Sequence, residues 1–425
     1  MQLTIGNSYS RITGLSAEQE RILRAELSYM VGGSSAYFSK FGAKRQSLLD
    51  KRGYFPTGLL SRLSVKWLVS KVTDERICPK TASAPFLMKG DPYEWQLNAV
   101  KAAETYHRGI ISAPTGTGKS MAMALLISRL NVKTLVVVPS LEIKKQLQGS
   151  VGHLPNVRIE NIDSSALKTL TDFDCLIIDE GHHVAAKTYR KLNKTAWTNI
   201  YYRFFFTATP FRNDTEETLL FESIAGSVIY SLDYKTAVRD GYIVPVEAYS
   251  YSLPKQSTDA YTYAEVYKEL VVNNVARNTL IAKVLTNLHS SGKSTLCLVK
   301  EVKHGEILSD ITGLPFVSGA DDTSRRYIEQ FNKGNIKVLI ATTGIMGEGI
   351  DSKPCEFVVI AGLGKAKSHF QQQIGRGVRK YENKESCKVI LFRDASHKFC
   401  LRHYNAQVKI LKEEYWVKCY KLEGP

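Results

Sequence analysis

No stretch of this 425-residue chain approaches about 18 uninterrupted apolar residues, and its first residues carry no basic segment leading into an apolar one. A membrane span and a secretory leader are therefore not expected, and the chain reads as soluble, intracellular and cytoplasmic. The seven cysteines (Cys78, Cys175, Cys297, Cys355, Cys387, Cys400 and Cys419) stand singly, with no CxxC pair and an odd total. That excludes a disulfide framework and a zinc-finger spacing, and leaves buried thiols of a reducing compartment. No low-complexity linker marks domain boundaries, and no groove-reading helix pattern points to readout of base sequence. Acids are the scarce charge, 41 Asp and Glu against 57 Lys and Arg for a net +16. The excess favours a polyanionic partner.

The chain is too long for one ordinary core. Residues 1–88 hold 13 Lys and Arg against six Asp and Glu and form a small basic α+β module, with Thr81 to Pro85 as its exit loop. From 89 to 244, short apolar runs (Gly109 to Ser112, Thr134 to Val138, Cys175 to Ile178, Arg203 to Phe206) alternate with helical segments. This is the pattern of an α/β fold, a parallel sheet covered on both faces. A third region, 245–425, repeats the style at Thr295 to Val299, Phe316 and Val317, Val338 to Ile340, Phe357 to Ile360 and Val389 to Phe392, and ends in a basic helix from Ser396 to Glu414. Two tandem parallel-sheet lobes follow, similar in architecture and not in residues.

The most informative segment is Ala113-Pro114-Thr115-Gly116-Thr117-Gly118-Lys119-Ser120, set between a strand and a helix. Glycines let the backbone curl, converging N–H groups bind anionic oxygens, Lys119 reaches the β and γ phosphates, and Ser120 ligates Mg2+. A nucleoside triphosphate is the expected ligand. Downstream, the apolar run Leu176 to Ile178 ends in Asp179-Glu180-Gly181-His182-His183. Asp179 is suited to hold Mg2+ and Glu180 to orient the water that attacks the γ-phosphate. The histidines lack further ligands at zinc spacing, and a relay between lobes suits His182 better. In the third region Gln372-Gln373-Ile374-Gly375-Arg376-Gly377-Val378-Arg379 offers two arginines three apart, which a helix would put on one face. Arginines from a second lobe that reach the γ-phosphate only on closure couple hydrolysis to movement, with Arg379 the finger and Arg376 beside it.

Other segments leave two readings open. Thr207 and Thr209 of Phe206-Thr207-Ala208-Thr209-Pro210-Phe211-Arg212 either link the Asp179-Glu180 loop to the second lobe or form a plain turn, with Arg212 a candidate DNA contact. Pro139 and Ser140, like Thr342 and Thr343, end strands and either approach a sugar-phosphate chain or make structural turns. Gly349 and Asp351 lie just beyond, where a carboxylate can sense nucleotide. Tyr93 and Gln96 stack on and read adenine, unless Tyr93-Glu94-Trp95-Gln96 supplies a core aromatic pair instead. In the basic module, Lys44, Arg45, Lys51 and Arg52 are interleaved with aromatics and either grip a duplex or junction or form a solvated basic face.

Taken in order over residues 93–379, AxTGxGKS, DEGHH, TATP, TTGxxGEGID and QxxGRGxR resemble the motif set of superfamily 2 DExH helicases. Residues Phe55 to Leu60 are similar to part of the small DNA-recognition domain of bacteriophage UvsW-type members. The resemblance implies two RecA-like lobes and ATP- and Mg2+-dependent translocation on branched or forked DNA, with branch migration and fork remodelling in recombination and repair. It carries the phosphate and metal roles onto Lys119 and Ser120, the metal and water roles onto Asp179 and Glu180, and the closing motif onto Gln372, Arg376 and Arg379. Ala113 replaces the first glycine of the general phosphate-loop pattern, as is common in this superfamily. The competing functions are an RNA helicase, the motor subunit of a restriction complex, and a clamp that binds ATP without hydrolysing it. A monomer is compatible with all of these.

Overall fold

The computed structural model describes residues 1–31, 44–64, 68–81, 90–139, 141–154, 156–181, 187–209, 215–319, 321–347 and 355–423, and the elements given are those of these residues. Two compact units emerge: Met1–Ala113 with Gly118–Leu232, and Asp233–Pro425 with the short segment Pro114–Thr117.

The first unit begins with strands β1 (Gln2–Ile5) and β2 (Tyr9–Thr13), helix α1 (Ala17–Glu26), and strands β3 (Ser28–Val31), β4 (Lys44–Ser47), β5 (Tyr54–Pro56) and β6 (Lys71–Asp74). A mixed sheet of order β5-β2-β1-β6 carries α1, and β3 and β4 pair as a separate antiparallel ribbon. Ser16 and Gln19 close a capping box at the start of α1, and Leu23 from its buried side joins Ile12, Phe55 and Leu59 in a small core.

That core is completed by Leu219 and Leu220 of the following lobe, so the basic module is packed onto the lobe. The lobe comprises α2 (Glu94–Tyr106), β7 (Arg108–Ser112), α3 (Lys119–Leu130), β8 (Thr134–Val138), α4 (Leu141–Val151), β9 (Val157–Asn161), β10 (Cys175–Ile178), α5 (Lys187–Lys194), β11 (Tyr202–Thr207), α6 (Thr215–Ala225) and β12 (Val228–Ser231). Its strands are parallel throughout, in the order β12-β7-β11-β10-β8-β9. Every residue of β8, β10 and β11 is buried. Helices cover both faces of such a sheet, so its strands read as unbroken apolar runs.

Polar groups fasten module to lobe as well. Arg203 on β11 is fully buried, and its guanidinium donates to Ser8 Oγ of the module at 2.8 Å, to Asn193 Oδ1 of α5 and to the carbonyl of Trp197, while its Nε donates to the Ile200 carbonyl at 3.1 Å. Burial pulls its pKa down to about 9. Neutral oxygens surround the guanidinium on the sides the module and α5 supply. At Gly58 the backbones themselves touch: a Cβ there would lie 2.1 Å from the Glu222 carbonyl oxygen of α6 and 2.7 Å from that of Ser223.

The second unit contains α7 (Tyr234–Arg239), β13 (Val246–Ser252), α8 (Tyr263–Tyr267), α9 (Val275–Ser290), β14 (Thr295–Val299), α10 (Val302–Thr312), β15 (Phe316–Val317), α11 (Asp322–Asn332), β16 (Val338–Thr342), β17 (Phe357–Ile360), α12 (Lys367–Gly375), β18 (Cys387–Arg393), α13 (Lys398–Glu414) and β19 (Cys419–Leu422). Its sheet is again parallel, in the order β15-β16-β14-β17-β18-β13-β19. The strands expected from sequence in both lobes are present. β9, β12, β13 and β19 are absent from that reading: β9, β12 and β19 are sheet edges, and β13 alternates buried and part-exposed residues, Ala248 and Ser250 inward. The basic tail helix begins at Lys398, capped by the His397 side chain, which accepts from Phe399 N. Among the described residues no helix is long and apolar enough to cross a membrane.

The contact at Gly58 yields a stability test. Gly58→Ala should lower unfolding free energy by roughly 1–3 kcal/mol, because the added methyl meets backbone oxygens that cannot swing aside. A urea midpoint equal to that of the wild type, at equal slope, would show that module and lobe are not in close backbone contact.

Candidate nucleotide-binding site

The phosphate loop leaves β7 and enters α3 at the C-terminal edge of the first sheet, where parallel-sheet folds place their ligands. Two glycines shape it. Gly116 and Gly118 both have φ of +89°, a left-handed conformation costly for other residues. Gly118 is also the N-cap of α3 and has no side chain to occupy the first-turn N–H groups, which leaves that helix end suited to anionic oxygens. Thr117 is buried, with its hydroxyl donated to the Pro114 carbonyl at 2.8 Å, and Lys119 Nζ lies 3.3 Å from the Ala113 carbonyl, folded back along the loop.

Strand β11 lies between β7 and β10 and ties the loop to the acidic turn. Ala113 N donates to the Thr207 carbonyl at 3.0 Å, and Thr209 N donates to the Thr207 hydroxyl at 3.1 Å. Thr207 is fully buried. Of the residues expected to couple the site, Thr207 is therefore hydrogen-bonded to the base of the phosphate loop, and Thr209 to Thr207.

Asp179 follows β10, with its N–H donated to the Val137 carbonyl of β8 at 3.1 Å. Glu180 N donates to Asp179 Oδ1 at 2.9 Å, and Glu180 has φ of +51°, an uncommon backbone for a non-glycine residue and one that gathers at functional sites. Burial, and after it the charge of Glu180, holds the Asp179 carboxyl well above the usual carboxylate range, while Lys119 acts in the opposite sense. The sign is informative. A carboxyl whose folded pKa is raised loses stability as pH rises through that range, and a cation beside it offsets the loss. Asp179 and the Ser120 hydroxyl are hard oxygen donors of the kind Mg2+ takes alongside phosphates and water, so the residues present fit that ion. Among the described residues no cluster of three or more His, Cys, Asp or Glu exists that would hold a metal by itself.

The segment before the loop divides between the two readings it allowed. Trp95 is a core residue, stacked on Tyr230 at 6.3 Å, whereas Tyr93 is 42% exposed. Gln96 is buried, and both ends of its amide are engaged: Oε1 accepts from Tyr93 N at 2.8 Å and Nε2 donates to the Gly118 carbonyl at 3.0 Å. Its place in this structure is a brace from α2 to the phosphate loop.

In the second unit Gln372 lies on α12, part-exposed, beside the buried Phe370, Gln371 and Ile374. The expectation that Arg376 and Arg379 share a helical face is corrected. The helix ends at Gly375, Arg376 is its C-cap, and Arg379 lies beyond it in an antiparallel bridge with Ile243, next to a Val244 N to Val378 carbonyl bond of 2.9 Å. Gly377 explains the break: a Cβ there would fall 2.3 Å from Cys387 Sγ and 2.8 Å from Val358 Cγ2, so the chain passes as bare backbone against β17 and β18.

Thr342 ends β16 and is buried; Thr343 lines a cavity of about 500 Å³ in the second unit with Lys300, Lys365, Arg402 and Tyr263. Those three cations were not singled out from sequence. Lys300 offered the one signal, directly following β14 at its C-terminal end; its ammonium rests 5.1 and 4.9 Å from the ring centres of Tyr263 and Tyr267. Pro139 is part-exposed after β8. Arg45, Lys51 and Arg52 are exposed on the basic module, and Asp50 fixes the turn that presents the last two by accepting from Arg52 N and Tyr54 N at 2.7 and 2.9 Å. Ser140, His182, Arg212, Gly349, Asp351 and the Lys44 side chain lie outside the described residues.

Residues 89–162 and 156–212 match the family model of the res subunit of type III restriction enzymes, and residues 277–381 match the helicase conserved C-terminal domain. The DNA 3'-5' translocase XPB2 of Sulfurisphaera tokodaii is 25% identical over 372 residues, covering 72% of this chain and 83% of that protein. The ATP-dependent DNA helicase uvsW of Enterobacteria phage T4 is 23% identical over 342 residues, covering 70% and 68%. Of two further curated relatives the chain spans 63% and 52% of the length. The structure of S. cerevisiae Dbp5 bound to RNA and ADP BeF3 shares the fold with a TM-score of 0.56 at 16% identity, over 78% of this chain and 90% of that one.

The bonds of Gln96 separate its two roles. As a brace, Gln96→Ala should weaken ATP, GTP and tripolyphosphate alike, by about 1–3 kcal/mol each, since it strands the Gly118 carbonyl and Tyr93 N–H. Calorimetric titration that shows a loss for ATP alone would restore the amide to adenine recognition.

Proposed function

We propose that this chain, which is similar to superfamily 2 helicases of the UvsW type, is an ATP-driven translocase that remodels branched DNA. The observation that carries the reading is the phosphate loop braced by Gln96 and Thr207, with the Asp179-Glu180 turn at the same sheet edge. A clamp that only binds nucleotide has no need of Glu180.

In this reading the N–H groups of residues 116–120 and the Lys119 ammonium hold the β and γ phosphates. Asp179 and the Ser120 hydroxyl would hold Mg2+, which when bound supplies positive charge to the phosphate oxygens. Glu180 orients the attacking water and accepts its proton. Arg379, with Arg376 and Gln372, supplies positive charge as the γ-phosphate leaves. Thr207 and Thr209 carry the change at the loop to the rest of the sheet. A DNA strand passes Pro139, Ser140 and Arg212 of one lobe and Thr342 and Thr343 of the other, with Lys300, Lys365 and Arg402 added as phosphate contacts. Gly349 and Asp351 report nucleotide state, as does His182. The basic module, residues 1–88, grips duplex through Lys44, Arg45, Lys51 and Arg52. The lobes then span 89–244 and 245–425, and the protein acts as a monomer in the cytoplasm, in recombination and repair.

ATP hydrolysis titrated with single strand, duplex, fork, four-way junction and RNA at one salt concentration tests the proposal. Forked or four-way DNA should stimulate most, and Lys119→Ala, Glu180→Gln and Arg379→Ala should each lower stimulated turnover by about 10²–10³-fold. Greater stimulation by RNA than by any DNA, or turnover retained in both the Lys119 and Glu180 variants, would overturn it.

A further inference from the structure

Helix α5 was not implicated by any motif, yet its residues sort by side. Tyr189, Leu192 and Asn193 are buried, while Lys187, Lys191 and Lys194 are exposed and Arg190 is part-exposed. The four cations stand at positions i, i+3, i+4 and i+7, one face of a helix. Among the described residues none of them is in an ion pair, and the Arg190 Nε is shielded from solvent without a hydrogen-bond partner. A lysine-rich face usually needs no more explanation than solubility. This one, however, lines a cleft of about 580 Å³ whose other wall is the basic module, through Tyr9, Gln46 and Tyr54.

The cleft is built. Asn193, on the buried side of α5, accepts from Ser8 Oγ of the module at 3.2 Å and from the buried Arg203, so helix and module are held in one register. Among the described residues Asp50 is the one carboxylate on the lining, and its Oδ1 already accepts the two N–H groups of its own turn. The lining therefore presents positive charge without a matched negative wall. Seven helical residues span roughly 10 Å, about the rise of three successive phosphates along one strand of a duplex. Stacking surface, which single-strand sites require, is scarce: Tyr29 is buried, Tyr9 is only part-exposed, and the face of the exposed Tyr54 is covered by the Arg11 guanidinium 5.2 Å from its centre.

We propose that the cleft between α5 and the basic module takes the phosphodiester backbone of the duplex arm of a DNA substrate, through Lys187, Arg190, Lys191 and Lys194. The site rests on the DNA-translocase reading and extends it: the first lobe holds duplex as well as strand, and the module sets the groove rather than acting alone.

Fluorescence anisotropy of the full chain with a labelled 20-bp duplex, and separately with a 20-nucleotide single strand, across a salt series tests it. Lys187→Gln/Lys191→Gln/Lys194→Gln should lower duplex affinity at least roughly tenfold at about 0.1 M salt and flatten the log–log salt slope by roughly 2–3, near 0.9 for each phosphate no longer neutralised. Single-strand affinity should change by less than about threefold, and the charge-keeping Lys→Arg triple variant should bind duplex like the wild type. An unchanged duplex slope, an equal loss for single strand, or failure of the Lys→Arg variant would each overturn the cleft. Wild-type chain whose ATP hydrolysis responds to no DNA sinks the translocase reading; wild type that responds, with a Gln variant that still binds duplex normally, sinks the cleft alone.

Discussion

One hydrogen bond organises the candidate site, that from Ala113 N to the Thr207 carbonyl. It continues the β7–β11 ladder past the last paired residues, Ser112 and Thr207, to the point where the chain must leave the sheet. A phosphate loop needs backbone N–H groups aimed at an anion, and a loop free to wander would pay that ordering cost at each binding event. Here both ends are held, the entrance by Thr207 and the exit by Gln96, so the curl between the left-handed glycines is largely formed in advance. The acidic turn inherits its position from the same sheet, since the Asp179 N–H bonds β8.

The basic module is joined to its lobe by a costlier interaction. Removing a guanidinium from water costs several kcal/mol unless its donors are met. Arg203 meets them with oxygens from Ser8, Asn193, Trp197 and Ile200, and Ser8 comes from the module. Apolar contact alone, Leu219 and Leu220 against Leu59 and Phe55, would hold the two together with little angular precision. The directional bonds at Arg203 and the backbone approach at Gly58 supply it, and through Asn193 they also orient α5.

Much of this was legible from residues because the chemistry is local. AxTGxGKS is one loop and its strand and helix flank it directly; the strands of both lobes are apolar runs because a doubly covered parallel sheet buries both sides of each. Legibility failed where tertiary contact overrode local pattern. Arg376 and Arg379 have helical spacing, yet Gly377 is pressed against Cys387 and Val358 and the helix stops. The neighbours of Gln96 suggest an adenine contact and carry no sign that its amide also braces Gly118, 22 residues on. Lys300, Lys365 and Arg402 are two ordinary lysines and an arginine until the sheet order gathers them around Thr343.

The amino-acid order alone determined that two parallel-sheet lobes follow a basic module, that a phosphate loop opens the first, and which carboxylates end the strand that serves it, because each of these depends on residues within a few positions of one another. Only the folded chain decided what those residues touch: that Thr207 anchors the loop, that Arg379 leaves its helix, and that four cations of α5 share a cleft with the module. Contacts between distant segments depend on packing, and packing is a property of the whole sheet and its neighbours rather than of any short run of sequence.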